Sequence, residues 1–447
     1  MGLALTLAEF LNRITYNDLP PPAIEHAKMI VASTLASAAP GSLIESAAIV
    51  RDLAKEHGGR PEATVWYDGA RLPAPAVARV NAMLSDAAAS DDSDLRNVAH
   101  SGTALTATGL AVSEKMGASG QDILAAIVTG YEAAGRVGEA LRGGRVGFHA
   151  SVVVAFGAVV ASARLLKLTN EQMANAICLT ATTMGGLGIS TNSLAREYHA
   201  GNAALCGVNA ALAAGRGYTA NPDMLEAPRG FFAVFGGGNA DVDGITRDLG
   251  REWDIQTHMA IKLVPGAHAF HPSVEAAAQA AQQANVSPDE VAAILVSGPQ
   301  NRQIIGSHRP RDLVEAIHSL PYFLASAVAD KEFSWVHATP AKIHSPVVAQ
   351  LIDLVQTDPS PPQVHYDWGW GGSVTIVTKS GARHTATVDA PRGSGPRGIE
   401  WSDVDAKYRA LMPDSGLRAG KIDQVLDVIH NLDGILNVGD FTALLKA

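Results

Sequence analysis

Residues 201–217 read GNAALCGVNAALAAGRG, and this stretch decides the fold class. Alanine and glycine recur at helical spacing here and through the first two thirds of the chain. Small side chains let helix axes approach closely. The composition therefore predicts helices packed against helices on all sides, rather than a single amphipathic shell.

The helical pattern extends outward from this stretch to about residue 254. One exception is ATVWY at residues 63–67, where β-branched and aromatic side chains predict a short β element. The predicted helices cover residues 74–89, 103–115, 121–141, 151–166, 170–182 and 199–216.

The pattern changes from about residue 261. Helical spacing persists at residues 320–329, at 340–355 and from Ser402 to the end. The sequence thus predicts a mainly α protein with a large all-helical domain, residues 1–258 and 402–447, and a smaller α+β domain, residues 259–401. The predicted strands of the smaller domain cover residues 291–297, 363–366, 373–378 and 383–388.

Composition excludes several classes of protein. With 447 residues, 47% hydrophobic and 17% charged, the chain can bury a large core and is not disordered. Its net charge of −10 gives no basic field for nucleic acid or an anionic membrane surface. Two cysteines, Cys178 and Cys206, are too few for a disulfide framework and indicate a cytoplasmic protein.

Neither a membrane span nor a secretion signal is predicted. The most apolar run, residues 150–163, is about 14 residues long, short of the ~20 that a bilayer requires. The N-terminal segment carries Glu9 and Arg13 where a signal peptide is apolar, so it is interpreted as a first amphipathic helix.

The densest polar cluster, DDSDLRNVAH at residues 91–100, follows an apolar stretch. Three carboxylates at a helix end could hold Mg²⁺ for a diphosphate, but no second diphosphate-binding motif follows, and we predict no metal. Two interpretations stay open. Asp92 and Asp94 position a substrate or His100, or the run is a solvated helix terminus.

Two histidines, His100 and His149, each precede a helix of small residues. The helix dipole disfavours a protonated histidine at this position, which leaves a neutral imidazole able to accept a proton. Such a group suits a general base. The alternative is a capping or core histidine.

Two cations stand beside further histidines. Arg196 lies three residues before His199, on one helix face, and can bind a carboxylate through two hydrogen bonds; a surface ion pair is the alternative. Lys262 is flanked by apolar residues, which predicts partial desolvation; a surface lysine is the alternative.

His268 and His271 could ligate zinc on a helix, but the prolines and glycine around them predict a loop, and no zinc motif accompanies them. Further on, Tyr322 offers a phenol that could act as an acid. The alternative for Tyr322 is an ordinary core tyrosine.

Seven segments, in this order, make the chain similar to the MmgE/PrpD family, which includes 2-methylcitrate dehydratase, cis-aconitate decarboxylase and iminodisuccinate epimerase. The resemblance implies a smaller domain that forms a lid, a homodimer, no metal or organic cofactor, and movement of a proton on carbon next to a carboxylate. The segments are the acidic stretch before His100 and residues 120–138, 147–149, 196–204, 226–231, 262–272 and 318–322.

The resemblance also assigns residues to the site. The chain departs from the family's pattern at residues 89–92, Ala-Ser-Asp-Asp in place of Asp-Phe-Asp-Asp, and at Arg196 in place of lysine, which argues against 2-methylcitrate itself as substrate. The predicted catalytic residues are His100, His149, Lys262 and Tyr322. The predicted substrate ligands are Asp92, Asp94, Arg196, His199 and His268.

The leading hypothesis is a cofactor-independent lyase or isomerase acting on a small di- or tricarboxylate. Lys262 and Arg196 bind carboxylates and stabilise the enediolate-like state, while His100 or His149 takes the proton. Tyr322 or the other histidine donates. Dehydration comes first as the commonest family activity, with epimerisation and decarboxylation as alternatives and a non-catalytic carboxylate-binding protein as a different class.

Overall fold

The computed structural model describes residues 2–141, 147–299, 304, 306–366, 369–394 and 397–447. The chain folds into two units: a helical unit, residues up to 87, 91–261 and 404–447, and an α+β unit, residues 88–90 and 262–403. The protein is mainly helical, as its composition predicts.

Helices make up most of the helical unit. Most of α17, Trp401–Leu411, also belongs to it. The other helices are α1 Leu3–Arg13, α2 Pro21–Gly41, α3 Glu45–His57, α4 Ala74–Ala87, α5 Ser101–Met116, α6 Gly120–Ala140, α7 Val154–Leu165, α8 Asn170–Thr183, α9 Ala195–Ala214, α10 Phe231–Phe235, α11 Asp254–Thr257, α18 Ala419–His430 and α19 Val438–Thr442.

Small residues set the spacing of these helices. A Cβ added to Gly157 of α7 would lie 2.7 Å from the backbone oxygen of Gly130 in α6. A Cβ on Gly207 of α9 would lie 2.6 Å from the backbone nitrogen of Val159 in α7. These distances leave no room for a methyl group. The close packing predicted from residues 201–217 is therefore confirmed.

Most predicted helices are confirmed with shifted ends. The helix predicted over residues 74–89 ends at Ala87, and Ala89 has a left-handed φ of +49° that breaks the helix. The helix predicted over residues 151–166 begins as a 3₁₀ turn, Ala150–Val153, before α7. The helix predicted from residue 199 begins earlier, at Ala195.

Two short antiparallel pairs accompany the helices. The predicted β element at residues 63–67 is β1, Ala63–Thr64, which pairs with β2, Arg71–Leu72. The second pair joins β3, Asp92–Asp94, to β4, Met259–Ile261. The acidic stretch thus forms a strand, not a helix end.

The α+β unit is built on a four-stranded sheet of order β6-β5-β7-β8. The β5–β6 pair is parallel, and β5–β7 and β7–β8 are antiparallel. Helices α12, α14 and α16 contribute to the apolar core that the sheet covers. The elements are α12 His271–Ala284, β5 Val291–Ser297, α13 Leu313–Ala316, α14 Leu320–Asp330, α15 Pro340–Ile343, α16 Pro346–Ile352, β6 Val355–Thr357, β7 Gly372–Thr378 and β8 Arg383–Val388.

Two sequence predictions in this unit are wrong. Residues 363–366 form no strand, and the strand beside β5 is β6 instead. The helix predicted over residues 340–355 is two short helices followed by β6. An apolar run of a few residues fits a buried strand and a buried helix turn equally well, so periodicity alone does not separate them.

Within the described ranges, no single helix is both long enough and apolar enough to cross a membrane. One bent pair, Pro21–Gly41 with Glu45–His57, meets the length and composition criteria when its two helices are taken together.

Candidate active site

The acidic stretch is buried inside the helical unit. Asp91, Asp92 and Asp94 are at most 1% exposed. Asp92 and Asp94 lie in β3, opposite Ile261 and Met259 of β4. The solvated helix terminus, one of the two interpretations left open by the sequence, is therefore wrong.

His100 immediately precedes α5, as predicted, and is fixed by the acidic stretch. Its Nδ1 atom lies 2.7 Å from the backbone oxygen of Asp92 and 2.8 Å from Oδ2 of Asp91. The Thr103 hydroxyl also donates to Oδ2 of Asp91, at 3.3 Å. One nitrogen of the imidazole is thus occupied by protein acceptors.

Asp92 and Asp94 have different surroundings. Oδ2 of Asp92 accepts a hydrogen bond from the Gly102 amide at 3.0 Å, and burial, reinforced by the charge of Asp91, raises the pKa of Asp92 to about 6. Asp94 accepts from the backbone and side chain of Arg96 instead. Asp94 thus holds Arg96, and its role as a substrate ligand stays a prediction.

Arg196 is the second residue of α9 and is buried, with only 4% of its surface exposed. Its Nη1 atom lies 3.0 Å from Oδ2 of Asp86, and its Nη2 donates to the Asp86 backbone oxygen at 2.7 Å. The alternative of a surface ion pair is wrong. The carboxylate that Arg196 binds in this chain is Asp86.

Asp86 is absent from the sequence-based prediction, although it is the single acidic residue of α4 and is fully buried. Arg79 and Asp86 are the two charged residues of α4. A lone carboxylate on such an apolar helix is the signal by which the sequence could have identified Asp86.

His149 and His199 lie side by side, with ring centroids 5.0 Å apart. Nδ1 of His149 accepts a hydrogen bond from the Ser151 amide at 3.2 Å, at the start of the turn before α7. Burial lowers the pKa of His199, the charge of Arg196 lowers it further, and Asp86 opposes both effects. His199 is therefore held neutral near pH 7.

These contacts join the predicted residues of the helical unit into one group. Asp86, Asp91 and His100 offer ligand atoms that lie within 4.8 Å of one another. Asp86 forms an ion pair with Arg196, and its charge acts on His199. The ring of His199 contacts the ring of His149. We call Asp86, Asp91, Asp92, His100, His149, Arg196 and His199 the His–Asp–Arg cluster.

The cluster contains buried polar atoms without partners among the described residues. They are Nε of Arg196, Nδ1 of His199, Oδ1 of Asp92, and Oδ1 and Oδ2 of Asp86. Oδ2 of Asp86 forms an ion pair with Arg196 but no hydrogen bond. Buried polar groups in folded proteins are nearly always hydrogen-bonded, and each exception asks for an explanation. A polar ligand that bonds to these atoms is one.

A divalent cation fits this cluster less well. Asp86 and Asp91 supply oxygens and His100 a nitrogen, a donor set that many divalent metals accept. Arg196 already neutralises Asp86, however, and His100 already contacts Asp91. The two carboxylate oxygens of Asp86 have no hydrogen-bond partner among the described residues, and the absence of a metal requirement stays a prediction.

Lys262 belongs to the α+β unit and is 1% exposed. The predicted desolvation is confirmed, and the alternative of a surface lysine is wrong. Its charge reaches His271, where it adds to burial in lowering the pKa to about 3. A buried ammonium of this kind is a strong ligand for an anion.

His268 and His271 pack together, with ring centroids 4.7 Å apart, and Trp370 meets the His268 ring edge-on at 5.7 Å. The predicted loop is wrong here: His268 begins a 3₁₀ turn and His271 begins α12, with Pro272 in the first turn. Proline is favoured at that position because a first-turn amide needs no helical acceptor.

Tyr322 lies in the core of the α+β unit and is fully buried. Its hydroxyl donates to the backbone oxygen of His337 at 2.7 Å, and burial raises its pKa to about 12. This is the environment of the core tyrosine that the sequence offered as the alternative. A catalytic role for Tyr322 stays a prediction.

Comparison with known proteins covers almost the whole chain. The model of the MmgE/PrpD N-terminal domain matches residues 5–242, and that of the MmgE/PrpD C-terminal domain matches residues 265–429. The cis-aconitate decarboxylase of Homo sapiens is 24% identical over 455 residues, covering 99% of this chain and 94% of that protein. The cis-aconitate decarboxylase of Aspergillus terreus is 24% identical over 479 residues, covering 100% and 96%.

Proposed function

The chain belongs to the MmgE/PrpD family, and from that membership we propose that it is a lyase or isomerase of a small di- or tricarboxylic acid. Its reaction moves a proton on the carbon next to a carboxylate and requires no cofactor. The observation that carries the proposal is the His–Asp–Arg cluster, in which residues far apart in sequence surround buried polar atoms without partners.

Arg196 is the proposed carboxylate ligand of this cluster. Asp86 engages its Nη1 and Nη2 atoms, but its buried Nε–H has no acceptor among the described residues. An unmade hydrogen bond from a buried charged group is costly. A substrate carboxylate that accepts a hydrogen bond from Nε would remove this cost. The positive guanidinium of Arg196 would then stabilise the negative charge that develops on the substrate.

Decarboxylation is the reaction we place first. The sequence-based prediction ranks dehydration first as the commonest activity of the family. The two relatives that match nearly the whole chain, however, are named cis-aconitate decarboxylases. At 24% identity, these names support testing decarboxylation before the other two reactions. Dehydration and epimerisation begin with proton transfer on the same kind of carbon, so the same cluster serves them.

A panel of acids tests the proposal: cis-aconitate, 2-methylcitrate, iminodisuccinate and related di- and tricarboxylates, each followed by proton NMR in D₂O. Decarboxylation gives a product with one carboxyl group fewer, dehydration gives an alkene, and epimerisation gives deuterium at the α-carbon. We expect turnover of at least one acid. Stabilisation of the protein by an acid that is never converted would favour the binding protein instead.

Arg196→Met provides the test at the site. Loss of one charged ligand of the developing anion should lower kcat/KM by about 100-fold, equivalent to ~3 kcal/mol. The matched control is Arg409→Met, which removes an exposed arginine paired with Asp423 and should leave kcat/KM unchanged. Equal activity of the two variants would remove Arg196 from the site.

The roles predicted for Lys262, His268 and Tyr322 are also part of the proposal. Each can be tested by substituting the residue and measuring kcat/KM in the same way. We propose a cytoplasmic location, and the two cysteines, neither of which is in a disulfide, support it.

A further inference from the structure

The two histidines of the cluster have opposite hydrogen-bonding roles at Nδ1. At His100, both close neighbours of Nδ1 are acceptors: the backbone oxygen of Asp92 at 2.7 Å and Oδ2 of Asp91 at 2.8 Å. Two acceptors are satisfied only if Nδ1 carries the hydrogen. In the neutral ring, Nε2 of His100 then holds the lone pair.

At His149, the neighbour of Nδ1 is a donor. The Ser151 amide points at Nδ1 from 3.2 Å, and a backbone amide can only donate. Nδ1 of His149 therefore holds the lone pair and Nε2 carries the hydrogen. The backbone selects the other tautomer for this ring.

We propose a division of labour within the proposed function, on which this inference rests: Nε2 of His100 is the base, Nε2 of His149 is the proton donor, and Asp91 is the positioning residue that fixes the His100 tautomer. In dehydration or epimerisation, the proton that leaves the α-carbon goes to His100, and the electron pair of the broken C–H bond passes into the substrate carboxylate. His149 then gives a proton to the departing hydroxyl group or to the other face of the carbon. In decarboxylation the electron pair of the broken C–C bond stays on the substrate as CO₂ leaves, and His149 gives the single proton that replaces the CO₂; His149 regains its proton from water in each case.

The charges around the two rings agree with this assignment. His100 faces Asp91 and Asp92 from its own segment and Asp86 from α4, whose charge Arg196 of α9 offsets. Carboxylates stabilise the imidazolium that forms when His100 takes a proton. His149 faces His199 of α9, which burial and Arg196 keep neutral.

The experiment is long-range ¹H–¹⁵N correlation of the full chain labelled with ¹⁵N-histidine, which separates the two tautomers directly. Variants His100→Gln and His149→Gln identify the signals. We expect the Nδ1–H pattern for His100 and the Nε2–H pattern for His149 in the wild-type protein. The same tautomer at both residues would overturn the proposal, whatever happens to any variant.

Asp91→Asn tests the positioning residue, because the amide keeps the shape of the side chain and removes its charge. The midpoint pH of the His100 titration should fall by about 1 unit. The matched control is Asp330→Asn, which removes the carboxylate from another His–Asp pair, with His337 at 3.0 Å, and should leave His100 unchanged. An unchanged midpoint in Asp91→Asn would exclude Asp91 from this role.

A third measurement is the steady-state kinetics of the protein with an acid that the panel identifies as a substrate. With an acid that is dehydrated or epimerised, Asp91→Asn should lower kcat by tenfold or more with KM nearly constant, and move the acidic limb of the pH profile with the His100 titration. If the tautomers are as expected and no acid is converted, the proposed function fails while the assignment of the two rings stands. If acids are converted and the tautomers are reversed, the division of labour fails alone.

Discussion

Asp86 changes how Arg196 is understood at the scale of single residues. A free arginine would bind a substrate carboxylate with two parallel hydrogen bonds. Here Asp86 contacts Nη1 and Nη2 of the guanidinium, and Nε has no hydrogen-bond partner among the described residues. The pair lowers the net positive charge that the helical unit offers to an acid. Under the proposed function, Asp86 therefore influences which acids Arg196 can bind.

His271 gives a pH-dependent prediction at the same scale. Burial, with the charge of Lys262, lowers its pKa to about 3, below the ~6.5 of a histidine in an unfolded chain. The unfolded state therefore binds the proton first, and the stabilisation from neutral His271 is complete above pH 6.5 and lost as the pH falls toward 3. Between pH 6.5 and pH 4 the loss is about 3 kcal/mol.

Denaturant unfolding at pH 4 and pH 6.5 measures this effect. His271→Gln should have a flatter pH dependence than the wild-type protein by about that amount. His308→Gln, at an exposed position, is the control and should follow the wild-type curve. Parallel curves for all three proteins would contradict the buried, neutral state of His271.

At the scale of elements, glycine positions decide how closely the helices pack. Gly207 sits where α9 crosses α7, and an added Cβ would lie 2.6 Å from the backbone of Val159. Backbone atoms cannot move aside as a flexible side chain can. Gly207→Ala should therefore destabilise the protein by about 1–3 kcal/mol.

Gly420→Ala is the matched control for this substitution. Gly420 lies in α18, and a Cβ there meets nothing within 4 Å. Alanine has the higher helix propensity, so this variant should be neutral or more stable by up to ~1 kcal/mol. Denaturant midpoints compare the two. Equal stability of both variants would show that the α7–α9 crossing tolerates a methyl group.

Strand assignments show where element prediction ends. β5, β7 and β8 follow from their patterns, and β7 and β8 form an antiparallel hairpin in which Arg383 pairs with Val377. β6 was missed and residues 363–366 were assigned wrongly, because three residues of strand carry too little periodicity to identify. β3 was missed because aspartates are rare in strands. Its partner strand, β4, is also far from it in the sequence, so no local pattern indicates the pairing.

At the scale of the whole molecule, the homodimer implied by family resemblance stays a prediction. Four large apolar side chains are exposed within twelve residues of the helical unit: Leu187, Ile189, Leu194 and Tyr198, from 46% to 90%. Grouped exposed apolar residues mark interaction surfaces. We expect sedimentation equilibrium to give twice the mass of the chain.

Ile189→Asp should weaken that dimer at least tenfold, or ~1.4 kcal/mol. Leu436→Asp is the control, since Leu436 is 88% exposed and lies elsewhere in the sequence. A monomeric wild-type protein would refute the dimer, and a dimer insensitive to Ile189→Asp would place its interface on another surface.

The family, the mainly helical fold, the close packing of helices and the residue types of the candidate site could all be predicted from the sequence. These follow from local spacing, since helix periodicity, helix starts and motif order are properties of neighbouring residues. Lys262 is a further example, because its apolar neighbours already predicted its burial.

Which side chains contact one another could not be predicted from the sequence and is seen in the tertiary structure. Arg196 contacts Asp86 across 110 residues, and the ring of His149 contacts that of His199. The tertiary structure also brings acceptors to Nδ1 of His100 and a donor to Nδ1 of His149, and the proposed tautomers follow from these neighbours. Such pairings arise from how distant segments pack, and no local pattern encodes them.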